Sequence, residues 1–451
     1  MGQVKLRLKI FCGSAGTVAR RLLVAGLMAT WLLGCSPPPP LPKGSGGPLA
    51  TPGLLSTPTQ VDLPASTTVE ATVEGQDGPV PTEVASLAQS LTQGLVSERD
   101  KALALYDWIG KNIRYDIAAY LAKDLPDPSP AVVLASKLTV CEGYARLFLA
   151  MAHSVGLEAV MVPGHSRGFS PDENRSEPDH AWNAVKLDGQ WVLLDPTWGA
   201  GHIDESKTFV AEPKRDWFDT PPEEFVATHL PVDPKWQLLD TPLEASTFWA
   251  RPRLSRLYFD YGLSLDSHDK GEIRSDGPLQ LTISSQKDCR LMATLHQGDR
   301  EIDGTHALVE RQGRNFTISV LPPEPGEYRL IIFVGPPEDL RTESAVVYDL
   351  TATSGSDGQV FPKTLKTFDD QEVQLVSPRS GLRDGESAEL VVEAPGATKL
   401  MAVIGEQQLP FQQDGERFRV NLTPTGDKVT VFGSYDDSTQ YSGLLEFPVA
   451  R

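Results

Sequence analysis

His180-Ala-Trp-Asn-Ala-Val-Lys-Leu-Asp-Gly-Gln-Trp-Val-Leu-Leu-Asp-Pro-Thr-Trp198 contains two apolar-rich runs split by Asp188-Gly189. Asp-Gly between strand-like runs favours a two-residue type I′ turn, the strongest short-range hairpin signal. That turn fixes a register in which Leu187 faces Gln190, Asp195 lies opposite Trp182 and Thr197 lies opposite His180. Residues two apart on one strand share a face. His180 and Asp195 are then diagonal neighbours, roughly 7–8 Å apart at the backbone and within reach of a planar side chain. A four-residue loop keeps this parity, and a one-residue bulge breaks it. The hairpin therefore sets an imidazole beside a carboxylate.

A second informative stretch is Val140-Cys141-Glu-Gly-Tyr-Ala. Tyr144, Leu147, Phe148, Met151 and Val155 recur at helical spacing, so Ala145–Val155 reads as an amphipathic helix stopped by Gly156. Cys141 falls in or next to the first turn, where unpaired N–H groups and the positive end of the helix dipole favour a thiolate. The same groups could donate to a developing oxyanion. Glu142 suits a helix start, and Gly143 is expected to relieve crowding around the sulfur. Cys141, His180 and Asp195 have the chemistry of a thiol nucleophile, its general base and the group that orients the base. The plain alternative is that Cys141 is a small buried hydrophobe. The conjunction of helix N-terminus, hairpin parity and three neighbouring indoles (Trp182, Trp191, Trp198) favours catalysis.

At these residues the chain resembles the transglutaminase-like superfamily, a papain-like group of thiol enzymes. The matching pieces are Val140-Cys-Glu-Gly-Tyr-Ala145, His180-Ala-Trp-Asn-Ala-Val185 and Gly189-Gln-Trp-Val-Leu-Leu-Asp195-Pro-Thr-Trp198. The resemblance implies Cys141 as nucleophile, His180 as general base and Asp195 as its partner. Tyr115 and Trp182 are candidates for an oxyanion or cleft position, and Tyr115 is equally readable as core. Phe225–Leu239 looks like the segment after the core in the kyphoscoliosis-peptidase-like branch. Within it, His229 and Trp236 are expected to pack the tail onto the core, with His229 outside the triad. The superfamily includes amine transfer, peptide hydrolysis, deamidation and inactive members, all active ones sharing an acyl-thioester step. Calcium dependence belongs to the large animal transglutaminases, and no acidic loop of the oxygen-ligand type is found here. No cofactor or metal is expected.

Residues 1–35 read as a targeting segment. Lys5, Arg7, Lys9, Arg20 and Arg21 precede the apolar run Leu22–Leu33, which ends at Gly34-Cys35. The run is short for a bilayer span, and Leu-Leu-Gly-Cys resembles a bacterial lipobox, with Cys35 the expected lipidation site. The alternatives are an ordinary secretory signal or an uncleaved anchor. Ser36 follows the cysteine, which points to the outer membrane in a diderm cell. Residues 36–80, rich in Pro, Gly, Ser and Thr, read as a disordered spacer. The expected setting is the bacterial cell envelope, outside the cytoplasm, with membrane attachment through lipid.

The formal charge is −19, and removal of the five cationic and no acidic residues of the first 35 takes it to −24. Such a surface repels nucleic acid and anionic headgroups. Of the four cysteines, Cys12 and Cys35 lie in the targeting segment. Cys141 and Cys289 fall in different expected domains, so a disulfide between them is not expected. Cys289 reads as a buried hydrophobe.

Thr82–Gly94 reads as a helix, and Ser97-Glu-Arg-Asp100 is a capping-box-like start for a second helix, Glu98–Asn112. A short helix is expected at Ala131–Lys137. Gly164–Pro178, polar and Gly/Ser-containing, reads as a loop bordering the cleft or as a plain surface connection. These pieces make residues 81–245 an α+β papain/transglutaminase-like catalytic domain. From about Phe248 the pattern turns to short alternating runs, giving an all-β, Ig-like sandwich over 246–353 and a second over 359–451. The two resemble related units, although no clean sequence repeat joins them. The expected function is a thiol enzyme acting on protein or peptide amides, with hydrolysis favoured over amine transfer. The rival is a non-catalytic envelope adaptor whose β domains bind another envelope protein.

Overall fold

The computed structural model describes residues 79–167, 177–204, 206–298, 300–339, 341–436 and 440–450. The expected targeting segment with Cys12 and Cys35, the expected spacer apart from its last two residues, and most of the 164–178 stretch lie outside these. The described residues form two compact units that meet in the chain at Trp249 and Ala250.

The first unit begins with α1 (Thr82–Leu91), which ends three residues earlier than the sequence reading, and α2 (Glu98–Asn112). Ser97 caps α2 by accepting from the Asp100 N–H at 3.0 Å. There follow β1 (Arg114–Tyr115), α3 (Ile117–Ala122), α4 (Pro130–Ser136) and β2 (Leu138–Thr139). Next comes α5 (Cys141–Ser154), then β3 (Ala159–Ser166), β4 (His180–Leu187) and β5 (Gln190–Leu194). The unit closes with β6 (Gly201–Ile203), β7 (Phe209–Ala211), β8 (Phe218–Thr220), α6 (Pro222–Phe225) and β9 (His229–Pro231). Five strands form an antiparallel sheet in the order β8-β5-β4-β3-β9.

The hairpin has the expected turn. Asp188 and Gly189 both have positive φ, 51° and 83°, as type I′ demands, and Leu187 pairs with Gln190. Strand pairing stops at Asn183 and Leu194, one step before Asp195. There the chain turns away, and the Asp195 N–H donates to the Trp217 carbonyl at 2.8 Å.

The helix α5 differs from its sequence reading. It begins at Cys141 rather than Ala145, and ten of its fourteen residues are buried, so the apolar face read from the spacing widens to most of the helix. It packs against α1, α2, α4 and the β3–β4 part of the sheet. Leu147, Phe148, Leu149 and Met151 are essentially inaccessible, and each contributes roughly 1.5–3 kcal/mol by leaving water. Asn183 ties sheet to helix, its Nδ2 donating to the Ala145 and Val160 carbonyls at 3.0 and 3.2 Å.

The second unit holds two sandwiches of one topology. In the first, a sheet runs 253–254, 343–352, 326–335, 290–297, 300–301, with 272–275 pairing in parallel on 343–352. The facing sheet runs 263–265, 279–285, 315–320, 307–312. In the second, the orders are 363–364, 442–450, 428–434, 399–404, 407–410, with 382–383 parallel on 442–450, and 374–377, 388–393, 417–422, 412–414. Each strand and each crossover of one has its counterpart in the other, so the relation that sequence alone left unclaimed is plain in the fold. Cys289 lies in the connection before the strand Arg290–Gln297, 1% exposed. Burial, eased by a hydrogen bond from Ser285, raises its thiol pKa.

Edge strands leave backbone donors and acceptors open, and here two edges cover one another. Glu310, on the edge strand 307–312, accepts from the Leu375 N–H at 2.8 Å and pairs with Arg379. Gln374 returns the contact, its Nε2 donating to the Arg311 carbonyl at 2.7 Å. The connection between the sandwiches is tied down by Ser356 N–H to the Pro322 carbonyl and Phe361 N–H to the Thr305 carbonyl, at 2.8 and 2.7 Å.

Candidate active site

Cys141 is the first residue of α5, preceded by extended Val140, so its sulfur sits where the helix's first N–H groups lack intrahelical partners. Parallel pairing of β1 with β2 brings Tyr115 beside Thr139, two residues ahead of the cysteine. The glycine at 143 serves a different end from the one expected. A Cβ there would lie 2.0 Å from Thr139 Oγ1, so Gly143 makes room for the Thr139 side chain rather than for the sulfur.

The Cys141 side chain hydrogen-bonds to His180. His180 Nε2 donates to Asp195 Oδ2 at 2.7 Å, which leaves its Nδ1 for the thiol. The three residues that the sequence singles out thus meet in one chain of contacts. Asp195 is held in turn by its own loop. Its Oδ1 accepts from the Thr197 and Trp198 N–H groups at 2.7 and 3.2 Å, the Asx-type capping that Asp-Pro-Thr-Trp favours.

A fourth residue joins them, and here the sequence reading is corrected. His229, expected only to pack the tail, donates from Nε2 to the same Asp195 Oδ2 at 3.2 Å, while its Nδ1 lies 2.8 Å from Thr228 Oγ1. It also packs: Phe225 stacks on it at 4.1 Å, and Trp198, Trp182 and Trp217 surround it at 4.4, 5.0 and 5.3 Å. Pairing of β9 on β3 and of β3 on β4 carries His229 to this place. No local pattern encodes that register. Trp236 packs as expected, edge-on to Trp191 at 5.0 Å.

Trp182 does not line an open cleft. It is fully buried, with its ring lying so close over Gly164 that a Cβ there would come within 2.3 Å of it. Tyr115 is buried too, its ring 6.1 Å from Tyr120 and 6.4 Å from Phe209. Gly164–Ser166, assigned by sequence to a loop, is the end of β3, with Gly164 paired to His180.

Burial governs the electrostatics. It opposes a charged His180, but the Asp195 carboxylate and the Cys141 side chain outweigh it and raise the imidazole to about 10. Burial likewise works to raise the Asp195 carboxyl, and His180 and His229 together hold it well below the usual carboxylate range. For His229 burial prevails, and with the repulsion of His180 it pushes the ring down to about 4. One histidine is charged and its neighbour neutral, although both share one oxygen.

Among the described residues, His180, Asp195 and His229 are the one group of His, Cys, Asp or Glu whose ligand atoms converge, within 4.8 Å of one another. Two imidazoles and a carboxylate suit a divalent transition metal in chemical type. The contacts of 2.7 and 3.2 Å are nonetheless those of two N–H donors on one oxygen, and protons account for the arrangement without an ion.

Comparison with known proteins agrees with this architecture. Residues 85–196 match the transglutaminase-like superfamily core, and residues 245–363 match the KY-like, immunoglobulin-like domain. The chain therefore carries a transglutaminase-like core domain followed by a KY-like, Ig-like domain. It is 33% identical over 252 residues to the mouse (Mus musculus) kyphoscoliosis peptidase, covering 55% of this chain and 37% of that one. To the human (Homo sapiens) kyphoscoliosis peptidase it is 32% identical over 284 residues, covering 62% of this chain and 42% of that one. A Lim and transglutaminase domain protein of Caenorhabditis elegans is 32% identical over 223 residues, covering 45% of this chain and 30% of that one. The chain spans less than half the length of these curated relatives. His229 lies beyond the residues matched to the core.

Proposed function

We propose that the first unit is a thiol enzyme that acts on protein or peptide amides through an acyl-thioester on Cys141. The observation that carries this reading is the continuous contact from Cys141, at the start of a fourteen-residue helix, through His180 to Asp195. The thiolate attacks the amide carbonyl and the C–N bond breaks. His180 gives its proton to the leaving amine, and an entering nucleophile then cleaves the thioester. Asp195 keeps the imidazole oriented and charged until that transfer. We favour water over an amine as the entering group, and the relatives named as peptidases support this choice. A peptide-library digest with and without an added primary amine tests both points. Cleavage lost in Cys141→Ser supports the reading, and full cleavage by that variant would sink it. An inert Cys141 in the unaltered chain leaves the adaptor reading in its place.

We further propose that the enzyme works outside the cytoplasm, tethered to the bacterial envelope through lipid on Cys35. The support is sequence alone: the cationic start, the apolar run and Leu32-Leu33-Gly34-Cys35. Mass spectrometry of the mature N-terminus should find acylated Cys35, and an unmodified terminus cut elsewhere would refute the tether.

A further inference from the structure

His229 is too well satisfied to be packing alone. Its ring is enclosed by Phe225, Trp182, Trp198 and Trp217, a cage that a phenyl group would fill without burying polar atoms. Both of its nitrogens are instead used, one against Thr228 Oγ1 and one against Asp195 Oδ2. A neutral imidazole has one N–H, and a bare nitrogen lone pair facing a carboxylate would be repelled, so the proton is on Nε2. The Thr228 hydroxyl has one proton and two acceptors in reach, the Phe225 carbonyl at 3.4 Å and Nδ1 at 2.8 Å; with Nε2 protonated it donates to the nearer Nδ1, which favours that tautomer.

We propose that His229 is a positioning residue for the thiol site, donating its Nε2–H to the carboxylate oxygen that also holds His180 and so limiting how tightly Asp195 grips the catalytic imidazole. The inference rests on the thiol-enzyme reading above for its consequence in catalysis. When His180 carries its proton, the Asp195 charge is balanced by the imidazolium. Once His180 has protonated a leaving group, the buried carboxylate depends on His229 and the two N–H groups at Thr197 and Trp198. A neutral donor on Oδ2 therefore favours the deprotonated His180 state and makes His180 a better acid. The other titratable groups facing this carboxylate are Cys141 through His180, and the Tyr106 and Tyr144 phenols. Burial and Asp195 keep both phenols neutral.

The test is ¹⁵N-histidine NMR titration of the full chain, which needs no substrate and so is independent of whether Cys141→Ser abolishes cleavage. In the unaltered chain His229 should show a proton on Nε2 and remain neutral to about pH 4. In His229→Phe the His180 midpoint should rise by about one pH unit, the scale of one hydrogen bond to a charged group. Its Nε2–H resonance should move downfield as Oδ2 is no longer shared. His229→Gln, whose amide N–H can reach the same oxygen, should restore both. If cleavage is measurable, kcat should fall in the Phe variant with KM little changed. Should the Phe variant not fold, Thr228→Val, which releases the tautomer, should shift His180 the same way by less. A His180 midpoint unmoved in folded His229→Phe, or in Thr228→Val, would overturn the proposal.

Discussion

Two regions of this protein bury ionic groups, and they put them to different uses. In the first unit, His180, Asp195 and His229 share one carboxylate oxygen with no side-chain exposure. Between the sandwiches, Arg290 meets Asp369 at 3.0 Å and also pairs with Asp370, while Glu310 pairs with Arg379. The Arg290 guanidinium cannot lose its proton, so the second cluster can only fasten. An imidazole can lose its proton, and it lies beside a thiol at a helix start. Buried charge alone does not make a site. The difference lies in a group that can exchange a proton next to a group that can attack a carbonyl.

That contrast is most easily broken by substitution. Cys141→Ala should abolish amide cleavage, and Asp195→Asn should lower kcat by on the order of 10³–10⁴ because the tautomer of His180 is then wrong. Residual rates in a peptide assay near those of the unaltered chain would remove the distinction. Arg290→Met should do the reverse. It leaves the largely buried Asp369 without its Arg290 partner, while Asp370 keeps Lys366, and should destabilise the sandwich unit by roughly 3 kcal/mol in urea unfolding, with cleavage unchanged.

A smaller effect is expected with pH. His229 is depressed to about 4 by burial and by His180, so the unfolded chain binds a proton there between about pH 6.5 and 4 that the folded one refuses. The first unit should therefore lose up to about 3 kcal/mol as pH falls through that window. His180, raised to about 10, contributes in the opposite sense, its stabilisation being lost as pH rises from about 6.5 to 10. Urea unfolding of His229→Phe should show a flatter profile between pH 6.5 and 4, and an unchanged slope would assign the acid sensitivity elsewhere.

Much of the site was legible because its geometry is local. Asp188-Gly189 sets the turn and the turn sets the register as far as Asn183 and Leu194. The expected facing of Asp195 with Trp182 does not form, because Asp195 turns to the Trp217 carbonyl, yet its carboxylate still reaches His180. Cys141 was readable from the apolar spacing behind it, although the helix proved buried on nearly every side because α1, α2, α4 and the sheet all pack on it. His229 was not legible as a partner of Asp195, since its position depends on β9 pairing with β3, a contact between segments more than sixty residues apart. The two sandwiches were readable as alternating strands. Their common topology was not, because it resides in strand order and not in any repeated string.

Iodoacetamide alkylation of the full chain across pH, with Cys141→Ala as the background for the other thiols, decides whether Cys141 is an activated thiol. Cys141 should show a reactivity midpoint well below the free-cysteine value of about 8.5, moved toward that value by His180→Ala. A Cys141 that reacts only as a free cysteine does, with or without His180, would contradict that activation.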